Sequence, residues 1–219
     1  MTTHTVLNNK TYWDSFYKDF KSAVPSQFCV SVVTDLEEEA VIVELGSGNG
    51  KDALFFASQG HTVVAMDLSA VAIESSQKFA EAGAINNAYF FQGDITNKID
   101  IGKAVDAARV RSLSGSVVVY SRFVMHSLDE SQQANLLEGL GAHMMERDVA
   151  YFEFRSREDA SLVKHFGGHY RRYVDTERFE RELAEVVGLK LMYSITGQGL
   201  ARFKNEDPMV SRVIAKKGL

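Results

Sequence analysis

Three glycines at alternate positions connect a short apolar run to a helical pattern near the start of the chain. Gly46, Gly48 and Gly50 follow the run 40–45, and the next apolar run ends abruptly at Asp67. Glycine accepts positive φ and lets the main chain approach a ligand closely, while a helix start after such a loop directs free N–H groups outward. An acid about 20 residues beyond the loop suits the hydroxyls of a ribose. The stretch predicts a nucleotide-like ligand, although the same glycines could serve only a tight strand–helix turn.

Short apolar segments and helical patterns alternate along the chain. Strands are predicted at 40–45, 62–66, 88–92, 115–121, 148–154, 189–196 and 209–217, and helices at 9–21, 26–37, 51–59, 69–83, 129–144 and 175–188. Strands alternating with helices imply a mainly parallel sheet covered on both faces, and two consecutive strands at the end imply an antiparallel edge. We therefore predict a single α/β domain over residues 1–219, doubly wound, with an antiparallel C-terminal strand.

The glycine loop departs from two common phosphate-binding patterns. It reads G-x-G-x-G, whereas dinucleotide-binding proteins carry G-x-G-x-x-G, and the chain has no G-x-x-x-x-G-K-[ST] loop. Glu44 stands just before the first glycine, where its carboxylate would repel a pyrophosphate and attract an ammonium or sulfonium group. The pattern disfavours a nicotinamide-dependent oxidoreductase and a P-loop nucleotidase.

Four segments resemble the motifs of class I S-adenosylmethionine-dependent methyltransferases. The segments "VELGSGNG" (43–50) and "VVAMDLS" (63–69) resemble the family's first and second motifs. The segment "FQGDI" (91–95) resembles its third motif, and "VVVYSRFVMHSLDE" (117–130) resembles its fourth. The resemblance covers roughly residues 40–219. It implies a Rossmann-like, mainly parallel seven-stranded sheet, S-adenosylmethionine as the methyl donor and S-adenosylhomocysteine as the product.

The resemblance also implies which residues hold the cofactor. Its amino-acid part should lie against the glycine loop near Glu44, Asp67 should hold the ribose hydroxyls, and Asp94 should meet the adenine amino group. Asp67 could instead cap the next helix, but Ser69 is able to do that, and Asp94 could simply belong to a turn. The predicted cofactor-binding residues are Trp13, Glu44, Gly46, Ser47, Gly48, Asn49, Gly50, Asp67, Leu68, Ser69, Gly93, Asp94, Ile95, Ser121, Arg122 and Phe123.

The chemistry of a sulfonium methyl group limits what a catalytic residue must do. The methyl is already activated, so the protein mainly aligns donor and acceptor and excludes water, and a base helps only if the acceptor must lose a proton. His126 follows the fourth strand and is the candidate base, although it could equally be a structural histidine. The Asn-Pro-Pro-Tyr signature of some amino-group methyltransferases is absent at 120–123, which disfavours methylation of DNA adenine or glutamine.

Basic and aromatic residues gather in the segment 152–175, after the fifth strand. Arginine forks bind carboxylate or phosphate groups in bidentate fashion. The predicted substrate-binding residues are Tyr12, His126, Arg155, His169, Tyr170, Arg171 and Arg172. They indicate a small anionic acceptor, such as a phosphorylated or carboxylated sugar or metabolite, whereas nearby acids would also be consistent with a solvated, salt-bridged loop.

Five aromatic residues occupy the predicted N-terminal helix, namely Tyr12, Trp13, Phe16, Tyr17 and Phe20. A helix of this kind packs on the core or, as in the family resembled, closes over the ligand. We expect residues 1–38 to form a helical lid on a Rossmann-like core, 39–219, with Tyr12 or Trp13 facing the sulfonium, because aromatic faces attract cations.

Charge and composition restrict the remaining classes of function. The net charge of −5 disfavours nucleic-acid binding. No apolar stretch approaches the roughly 20 residues that span a bilayer, and no signal peptide is recognisable, so we expect a cytoplasmic protein. The single cysteine, Cys29, reads as a buried hydrophobe, and no cluster of acids and histidines has metal-ligand spacing. We therefore expect no metal, no membrane and no nucleic-acid partner.

The function most consistent with these features is methyl transfer to a small-molecule acceptor by a monomer or homodimer. The alternatives are a protein or RNA methyltransferase, or a nucleotide-binding protein without methyltransferase activity.

Overall fold

Seven strands form one sheet in the computed structural model, which describes residues 2–19, 23–165 and 170–218. The strands are β1 (Val41–Leu45), β2 (Thr62–Asp67), β3 (Ala88–Gln92), β4 (Val118–Arg122), β5 (Val149–Arg155), β6 (Leu189–Gly197) and β7 (Val210–Lys217). Their spatial order is β3-β2-β1-β4-β5-β7-β6; β7 runs antiparallel to both β5 and β6, and the other neighbouring pairs are parallel. The predicted doubly wound, mainly parallel sheet with an antiparallel C-terminal strand is confirmed.

Seven α-helices connect or cover these strands within the described residues. They are α1 (Thr2–Asp19), α2 (Gln27–Val33), α3 (Lys51–Ser58), α4 (Ala70–Ala82), α5 (Lys98–Arg109), α6 (Glu130–His143) and α7 (Thr176–Glu182). Short 3-10 turns lie at Met125–Ser127 and Arg157–Ser161, and a π-helical turn, Leu183–Val187, extends α7 to Gly188. None of the described helices is both long enough and apolar enough to cross a bilayer.

Helix α5 is the element that the sequence analysis missed. Its start is marked by Asn97, whose side chain accepts a hydrogen bond from the backbone N–H of Ile99. Its buried face consists of Ile101, Ala104, Val105 and Ala108, a spacing typical of an amphipathic helix. All four side chains are small or β-branched and charged residues lie between them in the sequence, which explains why the apolar pattern was overlooked.

Apolar side chains cover both faces of the sheet. One cluster joins Val43 and Leu45 of β1 to α5, α6 and α7, and the other joins Ile42 to α2 and α3. Because successive side chains of a strand point to opposite faces, Glu44 shares the second face with Ile42. This alternation places a carboxylate beside the start of α3. Cys29 is fully buried in the same cluster, where burial raises the pKa of its thiol, as expected for an unreactive cysteine.

Two buried carboxylates fix the elements around the carboxyl ends of the strands. Asp52 in α3 accepts hydrogen bonds from the backbone N–H of Ser26 (2.7 Å), its hydroxyl (2.7 Å) and the Tyr120 hydroxyl (2.9 Å). Glu153 in β5 accepts one hydrogen bond from Arg122 in β4 and one from Arg212 in β7, each at 2.8 Å. These contacts tie α2 to α3 and join three adjacent strands.

Candidate functional site

A cavity of about 260 Å³ lies at the carboxyl ends of the central strands, where ligands bind in open α/β sheets. Its wall contains residues from β1, β2 and β4, the loops that follow them, α1, and the segment between β6 and β7. The predicted cofactor-binding residues on this wall are Trp13, Glu44, Gly46, Ser47, Asp67, Leu68, Asp94, Ile95, Arg122 and Phe123. The strand topology therefore brings together residues that lie far apart in the sequence.

The glycine loop is held against the end of β2. The backbone N–H groups of Gly46 and Ser47 both donate to the carbonyl of Met66, at 2.9 and 3.0 Å. Gly48 has a φ of +54°, and a side chain there would collide with the Tyr17 hydroxyl of α1. Glycine is required at this position for two reasons, namely the left-handed backbone and the close approach of the helix.

Asp67 is oriented by two backbone donors. Its Oδ2 accepts from the N–H of Gly48 at 2.8 Å, and its Oδ1 accepts from the N–H of Ser69 at 2.9 Å. Burial raises the pKa of Asp67 above its ordinary value, while these donors lower it. Ser69 itself caps α4 by accepting from Ala72, so Asp67 is not needed as the cap. The carboxylate is thus fixed in orientation at the cavity wall.

Glu44 is buried, with 4% of its surface exposed, and it lines the cavity. The N–H of Ala53 acts to lower its pKa, but burial and the nearby carboxylates of Asp52 and Asp67 raise the pKa well above its ordinary value. Among the described residues, its Oε2 atom has no hydrogen-bond partner. A buried carboxylate oxygen without a partner is costly, so this position favours a cationic ligand.

The third predicted motif borders the cavity through Asp94 and Ile95. The Oδ1 atom of Asp94 accepts from both the backbone and the hydroxyl of Thr96, at 2.8 and 2.7 Å. These bonds stabilise the turn after β3 and leave Oδ2 available. Gly93 lies behind the wall, and its N–H donates to the carbonyl of Asp67.

Several predicted cofactor-binding residues do not line the cavity. They are Gly48, Asn49, Gly50, Ser69, Gly93 and Ser121. Ser121 is buried between strands and donates to the carbonyl of Leu45 at 3.1 Å. The Ser69 hydroxyl donates to Asp14 of α1 at 2.5 Å. These residues support the wall or are covered by α1.

Phe123 follows β4 in a left-handed conformation, with a φ of +59°, which is uncommon for a residue with a large side chain. Its N–H donates to the carbonyl of Glu153 at 2.7 Å. The guanidinium carbons of Arg122 and Arg155 lie 4.1 and 5.4 Å from its ring centre. Hydrogen bonding and two cation–π contacts therefore hold a strained residue at the cavity wall.

His126 is buried and lines the cavity, 5.3 Å from the Phe123 ring between centres. Its Nδ1 accepts from the backbone N–H of Arg155 at 3.4 Å. A neutral imidazole that accepts at Nδ1 carries its proton on Nε2. In this tautomer, the ring can donate a hydrogen bond to an acceptor, but it offers no second nitrogen as a base.

The predicted substrate-binding arginines occupy three different environments. Arg155 lines the cavity but is paired with Asp159 (2.7 Å) and Glu206 (2.5 Å). Arg171 also lines the cavity, and burial followed by the neighbouring Arg155 lowers its pKa. Arg172 lies off the cavity, where its Nε donates to the carbonyl of Leu128 at 2.9 Å.

The other predicted substrate-binding residues lie apart. Tyr170 is 47% exposed and does not line the cavity. Tyr12 is also absent from the wall, but the charge of Arg171 acts on its hydroxyl and partly offsets the rise in pKa caused by burial. His169 lies outside the described residues, as does Phe20 of the N-terminal aromatic set.

Helix α1 contributes Trp13, Phe16 and Tyr17 to the cavity wall. Its Asp14 accepts from the Ser69 hydroxyl at the start of α4, and Tyr17 packs, partly buried, against the glycine loop. Burial and the carboxylates of Asp67 and Glu44 raise the pKa of the Tyr17 hydroxyl well above its ordinary value.

Sequence reasoning did not single out several residues of the wall. They are Lys51, Thr96, Val124, Ser127, Leu128, Gln132, Ala201, Phe203, Glu206 and Pro208, together with Phe16 and Tyr17, which were noted only as helix aromatics. The segment between β6 and β7 carries an aromatic residue and a proline. It contains no recognisable motif, so its sequence does not indicate that it lines the cavity. Among the described residues, no group of three or more histidine, cysteine, aspartate and glutamate side chains could hold a metal ion.

Comparison with known proteins adds a family match. Residues 42–146 match the family model described as a methyltransferase domain. This range contains the glycine loop, Asp67, Asp94 and His126. No curated protein matches the chain by sequence.

Solved structures of similar fold cover nearly the whole chain. An S-adenosylmethionine-dependent methyltransferase from Anabaena variabilis matches with a TM-score of 0.70 and 16% identity, covering 97% of this chain and 94% of its own. A TehB-like S-adenosylmethionine-dependent methyltransferase from Corynebacterium glutamicum matches with a TM-score of 0.60 and 19% identity, covering 97% of each chain. Magnesium protoporphyrin IX methyltransferase from Synechocystis, with S-adenosylhomocysteine bound, matches with a TM-score of 0.64 and 16% identity over 88% of this chain and 83% of its own. At these identities, the likeness concerns the fold.

Proposed function

We propose a specific reaction for a chain whose residues 42–146 form a methyltransferase domain and whose fold is that of the class I S-adenosylmethionine-dependent methyltransferases. The chain transfers the methyl group of S-adenosylmethionine to a small, anionic acceptor and releases S-adenosylhomocysteine. The single observation that carries the proposal is the buried Oε2 of Glu44 at the cavity wall, which has no hydrogen-bond partner among the described residues. It fits the ammonium of the cofactor's amino-acid part and would repel a pyrophosphate.

The residues around Glu44 fit the rest of the cofactor. Asp67, held by two backbone donors, would accept hydrogen bonds from the ribose hydroxyls. Leu68 and Ile95 would pack on the adenine, and Asp94 would accept from its amino group. When bound, S-adenosylmethionine supplies a methyl group activated by the positive sulfur. The protein then has to align the acceptor and exclude water.

The N-terminal residues cover part of the proposed site, and the methyl acceptor is proposed to bind near the end of β4. Residues 1–38 act as a lid on the core 39–219, because α1 already contacts the glycine loop and the start of α4. The acceptor lies between Phe123, His126 and Arg171, with His126 donating from Nε2 rather than removing a proton. A cavity partly walled by α1 favours a small molecule over an exposed segment of protein or RNA.

Charge around the acceptor position favours an anion. Asp159 and Glu206 offset the charges of Arg155 and of Lys164, which lies 3.2 Å from Asp159. Arg171 lines the cavity next to this cluster, and a carboxylate or phosphate on the acceptor would form a charge-assisted hydrogen bond with its guanidinium.

Thermal unfolding with added ligands tests the proposed cofactor. Ligands that bind only the folded protein stabilise it by an amount set by concentration over Kd, about 2.7 kcal/mol at 100 times Kd. We expect S-adenosylmethionine and S-adenosylhomocysteine to raise the melting temperature and to change the fluorescence of Trp13, the single tryptophan. NAD should do neither. Stabilisation by NAD alone would contradict the proposal.

Replacement of Arg171 with alanine tests the acceptor. We expect the KM for the acceptor to rise by about 10- to 100-fold, as for loss of a charged hydrogen bond, while the Kd for S-adenosylhomocysteine changes little. The acceptor would first be identified by screening carboxylated and phosphorylated metabolites for release of S-adenosylhomocysteine.

The matched control is R157A, because Arg157 is 69% exposed and pairs with Asp175 away from the cavity. This variant should keep both constants. Equal losses of acceptor and cofactor binding in R171A would contradict a role in acceptor recognition.

A further inference from the structure

Gln132 is a polar residue of the cavity wall that the proposed function has not used. It lies in the first turn of α6, only 7% of its surface is exposed, and it lines the cavity. Its Oε1 atom accepts from the backbone N–H of Asp129 at 2.9 Å, and its own backbone N–H donates to the Asp129 carboxylate at 2.8 Å. This reciprocal pair is a capping box, which stabilises the start of the helix.

The capping box fixes which end of the Gln132 amide remains for a ligand. A backbone N–H can donate only to the amide oxygen, so Oε1 must point toward Asp129. The two N–H groups of Nε2 make no hydrogen bond with the described part of the chain. Because buried polar groups are normally hydrogen-bonded, this donor indicates a partner that the protein itself does not supply. That partner must be a hydrogen-bond acceptor.

The segment that carries Arg171 is held against the same part of the chain. The backbone N–H of Arg172 donates to the carbonyl of His126 at 2.7 Å, and its Nε donates to the carbonyl of Leu128 at 2.9 Å. Arg171, His126 and Gln132 all line the cavity. Arg172 therefore joins the segment of the cationic Arg171 to the connection that leads into α6.

The acids at the start of α6 already have partners. Asp129 accepts from the backbone of Gln132, and the exposed Glu130 pairs with Arg178 at 2.8 Å. The first turn of a helix carries the positive end of the helix dipole. An anionic oxygen that reaches Nε2 would therefore meet a favourable field as well as a donor.

We propose that Gln132 donates a hydrogen bond from Nε2 to an anionic oxygen of the methyl acceptor, in a carboxylate or a phosphate, and thereby selects acceptors that carry such a group. The inference rests on the proposed function, because it concerns the same acceptor. Glutamate would form the same capping box as glutamine but would offer an oxygen in place of Nε2. The amide nitrogen is thus the part of the residue that the helix does not need.

A titration of the parent protein followed by NMR tests the contact directly. The sample is the full ¹⁵N-labelled chain saturated with S-adenosylhomocysteine, and the probes are benzoate and phenyl phosphate. We expect one or both probes to shift the side-chain N–H signals of Gln132 saturably, and the signals of Gln77, exposed in α4, to stay in place. Benzylamine, a cation of similar size, should shift neither. The Gln132 signals are those that are missing from Q132E.

Two variants separate the donor from the helix cap. Q132E keeps the capping box and replaces the donor with an acceptor, so affinity for the probe should fall by at least about 10-fold, while the Kd for S-adenosylhomocysteine changes by less than about 2-fold. Q132M removes both functions and should lose probe affinity and thermal stability together. The matched control is Q77E, which adds the same charge at an exposed position and should keep both affinities.

The outcomes separate this inference from the proposed function. Gln132 signals that respond to neither anionic probe, or equal losses of probe and cofactor affinity in Q132E, would overturn the role of Gln132 and leave the proposed function standing. Failure of the parent to bind S-adenosylhomocysteine would overturn the proposed function itself. If the variants did not fold, the titration of the parent would decide, with the Gln132 signals assigned through its own backbone.

Discussion

Replacing Glu44 with glutamine is expected to abolish most of the melting-temperature increase caused by S-adenosylhomocysteine while leaving the ligand-free protein at least as stable as the parent. The two effects have one cause. The carboxylate is buried with one unpartnered oxygen, which is unfavourable in the ligand-free chain and favourable when an ammonium is present. Glutamine keeps the shape but not the charge. The affinity should fall by about 10- to 100-fold, measured by titration calorimetry.

The E44Q variant should also differ from the parent in how its affinity for S-adenosylhomocysteine depends on pH. Burial and the neighbouring acids raise the pKa of Glu44 in the folded state. A carboxyl group with a raised folded-state pKa favours the folded state while it is protonated, and this contribution is lost as pH rises through that pKa. The ligand ammonium, in contrast, requires the ionised form. Affinity for S-adenosylhomocysteine should therefore increase with pH in the parent, and this component of the increase should be absent in E44Q.

The control for Glu44 is E81Q on the exposed side of α4, which should behave as the parent. Parent-like affinity in E44Q, or a large loss of ligand-free stability, would contradict the assignment of Glu44 to the ammonium.

Replacing Glu153 with glutamine is expected to lower the free energy of unfolding by about 3–5 kcal/mol, as is typical when one partner of a buried ion pair is removed. Glu153 is almost fully buried and accepts from Arg122 and Arg212, both mainly buried. Glutamine would remove the negative charge that pairs with both guanidinium groups. Urea unfolding followed by circular dichroism measures the change.

The matched comparison is E74Q, which removes the acid of the exposed Lys78–Glu74 pair. Exposed pairs contribute little, so the change should be below about 1 kcal/mol. A loss of similar size in the two variants would show that the Glu153 network is not a major source of stability.

The fold and the side of the cavity formed by the glycine loop were largely predictable because their signals are local. Short apolar strands, the glycine loop and Asp67 at a strand end each stand within a few residues of sequence. Parallel pairing then brings the carboxyl ends together at one edge. Asp67 and Glu44 could thus be placed at the cavity before any coordinates were known.

The side of the cavity formed by Arg155 and Glu206 was less predictable because it depends on long-range pairing. Arg155 reads as an available cation in the sequence, but the folded chain pairs it with Glu206, which is 51 residues away. The contact of Tyr17 with Gly48 likewise joins segments with no shared pattern. Such partnerships are decided by packing, which composition and spacing do not encode.

The connection between β6 and β7 can change in sequence and length while the rest of the fold stays the same. It supplies Ala201, Phe203, Glu206 and Pro208 to the cavity, yet it belongs to neither the glycine loop nor the parallel strands. Connections of this kind accept substitutions and length changes more readily than the elements they join. Evolution, or a directed library confined to this connection, can therefore explore new acceptors while the machinery that holds the methyl donor is inherited unchanged.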